Sequence, residues 1–196
     1  MATLNSLLSD IRACRLCDAH LPEGPRPVVV VNAAARILII GQAPGRKVHQ
    51  SGVPWDDPSG DRLRDWMQLD RASFYGDPRL SIMPMGFCYP GAGRSGDLPP
   101  RPECAATWHE LLWQEMPHLE LVLLIGQYAQ RHYAEKLGVG TPTGTLTERL
   151  RAQPTDSLGF CLPHPSPRNI RWFKSNLWFE RDTLPALRAR LTQVFS

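Results

Sequence analysis

Arg36-Ile37-Leu38-Ile39-Ile40-Gly41-Gln42-Ala43-Pro44-Gly45 runs through four consecutive aliphatic residues and stops abruptly in a glycine- and proline-bearing loop. A short unbroken apolar run bounded by turn residues predicts a buried strand, and the loop after it predicts a tight turn whose backbone a ligand can approach closely. A buried strand needs partners and covering helices, and the rest of the chain shows both. Leu119–Ile125 is a second, still more apolar run, followed by Gly126 and a helical pattern to about Leu137. Leu80–Met85 and Phe160–Leu162 read as further strands, and Val28–Val31 as a short one.

Helical spacing of Leu4, Leu7, Leu8 and Ile11 predicts an amphipathic helix over residues 3–14, with Asn5 or Ser6 as its start signal. Further helices are expected over Ser59–Leu69, over Pro102–Met116 with Cys104 near its start, and over about Thr183–Phe195. Cys88–Pro100 reads as a long loop and Gly138–Ser157 as irregular. Strands alternating with helices define an α/β class: a three-layer α/β/α sandwich with a mainly parallel central sheet. In such sheets ligands bind beyond the carboxyl ends of the strands. The loops Gly41–Gly45 and His164-Pro165-Ser166-Pro167-Arg168-Asn169 both follow strands.

A chain of 196 residues with 42% hydrophobic content buries one sizeable core, so residues 1–196 are expected to form one domain. No internal repeat or linker divides it. The formal charge of +3 permits a basic face for a polyanion without demanding one. The sequence contains neither a membrane-length apolar run nor the basic start and apolar stretch of a signal peptide, so a cytoplasmic location without membrane partners is expected. A monomer is the expected state.

In a reducing cytosol, five cysteines are read first as metal ligands or as buried core. Cys14-x2-Cys17 and Cys88-x15-Cys104 place two close thiolates on one segment and two on a loop-to-helix segment, a set that suits an iron–sulfur cluster or zinc. Cys161 lies in an apolar strand and reads as core.

Taken together, Ile11–Cys17, Arg36–Gly45, Gly52-Val53-Pro54-Trp55, Cys88–Cys104, Val122–Gly126 and the His-Pro-Ser loop resemble the bacterial and archaeal uracil-DNA glycosylases that bind a [4Fe-4S] cluster. The loop His164–Asn169 is similar to that of the single-strand-selective monofunctional uracil glycosylases. The resemblance implies a uracil-DNA glycosylase-like fold and hydrolysis of the bond between a damaged base and its deoxyribose, the first step of base excision repair. It implies that Cys14, Cys17, Cys88 and Cys104 ligate the cluster, with zinc as the alternative metal. It also implies that His164 donates to the departing base, that Gly41, Gln42 and Ala43 hold the base and water, and that Trp55 stacks on the base. Ser166, Arg168 and Asn169 are implied to contact DNA containing the damaged base. Arg171 and Lys174 are candidates for further phosphate contacts, with a solvated basic face as the alternative, and Trp172 and Phe173 either wedge or pack.

The departures concern catalysis. Gln42 stands where the resembled family has an acidic residue, and a carboxamide cannot act as a general base. Val48-His49 replaces an acidic pair, and Pro84 replaces a base-reading asparagine. His49, with an ordinary pKa of about 6.5, and Asp56 or Asp57 are the candidates for the missing base. A protein that binds DNA or a nucleobase without hydrolysis is therefore the second expectation. The third, a nucleotide or phosphate binder, lacks the Lys-Ser or Lys-Thr of a phosphate loop and the three-glycine dinucleotide pattern.

Overall fold

In the computed structural model, which describes residues 3–140 and 143–196, the chain opens with α1 (Leu4–Ala13). Its cap is Thr3, whose hydroxyl accepts from the Ser6 N–H, so the expected start signals Asn5 and Ser6 lie inside the first turn. There follow β1 (Ile37–Ile40), α2 (Arg46–Ser51), α3 (Pro58–Met67), α4 (Arg71–Gly76) and β2 (Leu80–Ile82). A hairpin of β3 (Ala92–Gly93) and β4 (Gly96–Asp97) precedes α5 (Pro102–Cys104), α6 (Glu110–Gln114), β5 (Leu121–Ile125), α7 (Gln127–Tyr133) and α8 (Leu146–Ala152). The chain then forms β6 (Gly159–Leu162), α9 (Ile170–Ser175) and α10 (Leu184–Phe195).

The main sheet has the order β2-β1-β5-β6, and every neighbouring pair is parallel. Side chains alternate across a strand, so the apolar runs feed two cores at once. Ile37, Ile39, Leu123 and Phe160 pack with Leu63, Trp66, Leu187 and Leu191 on one face. On the other, Leu38, Ile40, Val122, Leu124 and Cys161 pack with Leu7, Ile11, Leu112 and Tyr133. This is the expected three-layer arrangement, and Cys161 is buried within it.

Several boundaries differ from expectation. Val28–Val31 contributes a single antiparallel bridge, Val30 to Ile82, rather than a strand of the sheet. Beyond Ile82, where the strand ends, the N–H groups of Met83 and Met85 still reach the Ile39 and Gly41 carbonyls, with Pro84 between them. The loop Cys88–Pro100 contains the β3–β4 hairpin. The helix expected over Pro102–Met116 ends at Gln114 and widens into a π-helical turn at Ala105–His109. Gly138–Ser157 is not irregular throughout: Thr145 and Glu148 form a reciprocal capping box that starts α8. Thr141 and Pro142 of that segment lie outside the described residues.

The π turn faces His109 into the core. Its Nε2 lies 3.1 Å from the Pro84 carbonyl and its Nδ1 lies 2.7 Å from the Tyr133 hydroxyl. A carbonyl only accepts, so Nε2 carries the proton and Tyr133 donates to Nδ1. Burial lowers the His109 pKa to about 4, and the backbone behind Pro84 is thus held by a neutral imidazole. No helix among the described residues is long and apolar enough to cross a membrane.

Candidate active site

Beyond the carboxyl ends of the strands lies a cleft of about 600 Å3. Gly41, Gln42 and Ala43 line it from the β1 side, Pro84 from the end of β2, and His164, Ser166, Arg168 and Asn169 from the loop after β6. Trp55 and Asp57 complete one wall, and Asp97 and Leu98 of the hairpin segment another. The two loops that stood out in the sequence, about 120 residues apart along the chain, are therefore brought to one site by parallel pairing.

His164 is held from both sides. The Ser166 N–H donates to Nδ1 at 3.2 Å, and the Asn169 carboxamide donates to the His164 carbonyl at 2.7 Å. A nitrogen that accepts is unprotonated, so the neutral imidazole keeps its proton on Nε2. Burial lowers the pKa to about 4, opposed by the charge of Asp57 and reinforced by Arg168. At neutral pH the residue is an uncharged N–H donor. Arg62, from α3, donates to the Pro165 carbonyl at 2.9 Å and fixes the loop against that helix.

Trp55 has φ of 58°, an unusual conformation for a bulky residue. It is held there by its surroundings. Arg64, buried at 6% exposure, donates to the Trp55 carbonyl at 3.0 Å and to the Tyr75 hydroxyl at 3.1 Å. Tyr75 in turn donates to the Pro54 carbonyl at 2.9 Å. Gly60 admits this approach, because a Cβ there would lie 1.7 Å from the Trp55 carbonyl oxygen. The indole reaches over Gly41, where a Cβ would lie 2.8 Å from Cζ2, and its ring centroid stands 5.7 Å from that of His164.

The Gln42 side chain lies against Gly126 at the end of β5. Gly126, at φ of 83°, leaves the room for it: a Cβ there would lie 2.5 Å from Gln42 Nε2. The Gln42 carbonyl accepts from the Gly86 N–H, which ties the β1 loop to the segment after β2.

The remaining sequence candidates divide between the cleft and its surroundings. His49 does not line the cleft; it is buried on α2 beside Tyr89, with ring centroids 6.0 Å apart, and its Nδ1 has no hydrogen-bond partner. Asp56 pairs with Arg71 at 2.8 Å. Asp57 lines the cleft but uses one carboxylate oxygen to cap α3 at the Gly60 N–H. Arg168 donates to the Ser95 carbonyl at 3.1 Å. Trp172 and Phe173 pack against Phe179, and Trp172 also donates to the Thr147 hydroxyl. Arg64, Gly60, Gly126 and the hairpin residues Asp97 and Leu98 had not been singled out in the sequence. An arginine at i+4 from a glycine in the first turn of a helix carries no local signal for a contact to a loop carbonyl.

No group of three or more His, Cys, Asp or Glu side chains is arranged to hold a metal ion among the described residues. All five cysteines are free, and Cys17, Cys88 and Cys104 are buried. Four of them share one environment. Burial raises Cys88 to about 11, with further contributions from the neighbouring Cys14 and Cys17. Cys104 is pushed up to about 12 by burial, with contributions from Cys17, Cys88 and Cys14, while the Phe87 N–H donates to its sulfur at 3.4 Å. Burial keeps these sulfurs protonated as thiols, while the gathering of four soft sulfur donors is the chemistry that a soft metal centre uses.

A parallel four-stranded sheet with helices on both faces, and a cleft at its strand ends where a neutral histidine after β6 meets an indole from the α2–α3 loop, define a class. The family model of the Uracil DNA glycosylase superfamily matches residues 28–188, and the chain belongs to that superfamily. Within it, the chain is similar to the Type-4 uracil-DNA glycosylase of Archaeoglobus fulgidus, at 31% identity over 67 residues. That match spans 34% of this chain and 34% of the relative, about a third of its length.

Proposed function

We propose that this protein is a DNA glycosylase that hydrolyses the N-glycosidic bond of uracil or another damaged base in DNA, and that it acts in base excision repair. The observation that supports it most is the fixed tautomer of His164: Ser166 occupies Nδ1, and Nε2–H remains as the donor at the cleft. Cleavage of a base–sugar bond places growing negative charge on the departing base, which must first leave the stack. A preorganised donor at the base oxygen lowers that barrier by about 2.7–4 kcal/mol if it behaves like an oxyanion-hole donor. Trp55 supplies a stacking face, and the backbone of Gly41–Ala43 forms the wall beside it. Gln42 binds but takes no proton, so base departure runs ahead of water attack, and Asp57, one of two carboxylates lining the cleft with Asp97, is the one beside Trp55 available to orient the water.

Cys14, Cys17, Cys88 and Cys104 are the residues that would hold a [4Fe-4S] cluster, with zinc as the alternative. Bound there, the metal centre supplies a cross-link between the end of α1 and the Cys88–Cys104 segment, so metal binding is part of folding. The resemblance of the His164–Asn169 loop to that of the single-strand-selective glycosylases supports its entry into the DNA groove beside the extruded nucleotide.

The test is base release from oligonucleotides bearing uracil, hypoxanthine or xanthine, comparing anaerobically purified protein with His164→Ala. Alkali-labile sites made by the native protein and lost in the variant are expected. Gln42 and Pro84, which bring neither a carboxylate nor an asparagine to the cleft, favour a second reading: a DNA- or nucleobase-binding protein on this scaffold. Measurable DNA binding without release of any base would establish it.

A further inference from the structure

The β3–β4 hairpin lies within the Cys88–Cys104 segment and forms part of the cleft rim. Gly91 and Leu98 close its base through a 2.8 Å backbone hydrogen bond, and Ala92↔Asp97 and Gly93↔Gly96 pair above it, leaving Arg94-Ser95 as a two-residue turn. Its inner side is spoken for: Asp97 and Leu98 line the cleft, and the Ser95 carbonyl accepts from Arg168 of the His164 loop at 3.1 Å. Gly96 makes that contact feasible, because a Cβ there would lie 1.9 Å from Arg168 Nη1. Its outer side is free. Arg94 is exposed and has no hydrogen-bond or ion-pair partner among the described residues. Arg46 and Lys47 line the same cleft together with the carboxylates of Asp57 and Asp97. Arg46 is paired with Glu23 at 2.7 Å, which leaves Lys47 of the cleft lining and Arg94 at the hairpin tip as cations without a hydrogen-bond or ion-pair partner among the described residues.

We propose that the Ala92–Asp97 hairpin is a nucleic-acid contact whose tip residue Arg94 meets a backbone phosphate beside the extruded nucleotide. Arg168 is a positioning residue that holds the hairpin at the cleft rim. The proposal rests on reading the cleft as a DNA site. It assigns Arg168 a role different from the direct DNA contact expected from sequence, since one arm of its guanidinium spans the rim to another loop. A two-residue turn on a short hairpin is a weakly anchored projection, and a hydrogen bond at its tip fixes the height at which Arg94 stands. A single phosphate contact has a specific signature: its loss lowers the slope of log affinity against log salt by about 0.7–0.9.

The experiment is fluorescence anisotropy of the metal-loaded protein with a labelled uracil-containing duplex, titrated across a series of salt concentrations. Near-ultraviolet circular dichroism verifies that each variant is folded. Arg94→Ala is expected to weaken binding and reduce the slope by about that amount, with Arg94→Lys restoring the slope. Gly96→Ala removes no charge; at φ of 147° it strains the turn and its methyl displaces Arg168, so the tip loses its placement and the slope is expected to fall similarly. An Arg94→Ala titration that superimposes on the native one at every salt overturns the phosphate contact, and an unchanged slope in Gly96→Ala overturns the positioning role. Arg94-dependent binding with no base release by the native protein leaves this inference standing and removes the glycosylase reading. Base release with Arg94-independent binding does the reverse, and absence of any DNA binding overturns both.

Discussion

The indole of Trp55 and the imidazole of His164 meet at one corner of the cleft, with centroids 5.7 Å apart and ring planes inclined by 34°. They come from loops on opposite sides of β5, one fixed by Arg64 and the other by Ser166 and Asn169. At that spacing no base fits between them; on the glycosylase reading a base would enter beside the pair and use the indole as a platform and Nε2–H as a donor. Under the proposed function, His164→Ala lowers the single-turnover rate of base release by about 10²–10³-fold, and Trp55→Ala weakens binding of the extruded base by about 1–3 kcal/mol. Single-turnover kinetics over a range of protein concentrations separate the two: a rate loss for the first, mainly an affinity loss for the second.

Gly41→Ala tests the contact between the β1 loop and the indole. The added methyl would stand 2.8 Å from Cζ2, so Trp55 must move away from the corner. Base release is expected to fall while the thermal midpoint changes little, because Gly41 does not adopt a positive φ. Unchanged kinetics would show that the indole position is not needed.

Arg64→Met removes the donor that serves both the Trp55 carbonyl and the Tyr75 hydroxyl in a buried setting. Leaving buried polar groups unpaired costs about 1–3 kcal/mol each. Urea unfolding should show a lower midpoint at an unchanged slope, and the strained backbone at Trp55 should lose its support.

The pH dependence follows from His109 and His164, both lowered to about 4 by burial. The unfolded chain takes up protons on histidine near pH 6.5, above the folded values, so stability is lost as pH falls from about 6.5 toward 4. The loss for the fully buried His109 is on the order of 2–3 kcal/mol by the lower end of that range. Urea midpoints measured at intervals through this window should decline for the native protein and more shallowly for His109→Gln. On the glycosylase reading, base release would use the neutral Nε2–H of His164 and should show no inflection from this residue between about pH 6 and 8.

Cys17→Ser and Cys88→Ser address the proposed metal centre. Each removes one donor from the four-cysteine set, and the expected result is protein with less bound iron, weaker visible absorbance and a lower thermal midpoint. A colourless Cys17→Ser protein with no bound metal and native stability would remove the metal centre from the proposal.

The apolar runs Ile37–Ile40 and Leu121–Ile125, the alternation of strand and helix, and the glycine and proline at the strand ends were legible in the sequence, because each depends on local periodicity and turn chemistry. So were the two cleft loops, since a loop that follows a buried strand of a parallel sheet has only one end at which to lie. The capping box Thr145–Glu148 was equally local and was the readable signal for α8 that the irregular assignment passed over. Tertiary structure alone decided how side chains met across the chain. His49 lies buried beside Tyr89 rather than in the cleft, and Arg168 is turned to Ser95. Arg64, from the middle of a helix, holds the backbone of a loop. These are encounters between residues distant in sequence, set by strand order, by glycines that lack a Cβ at Gly60, Gly96 and Gly126, and by desolvation, which depends on everything packed around a group. A linear pattern holds the first two only as permissions and the third not at all.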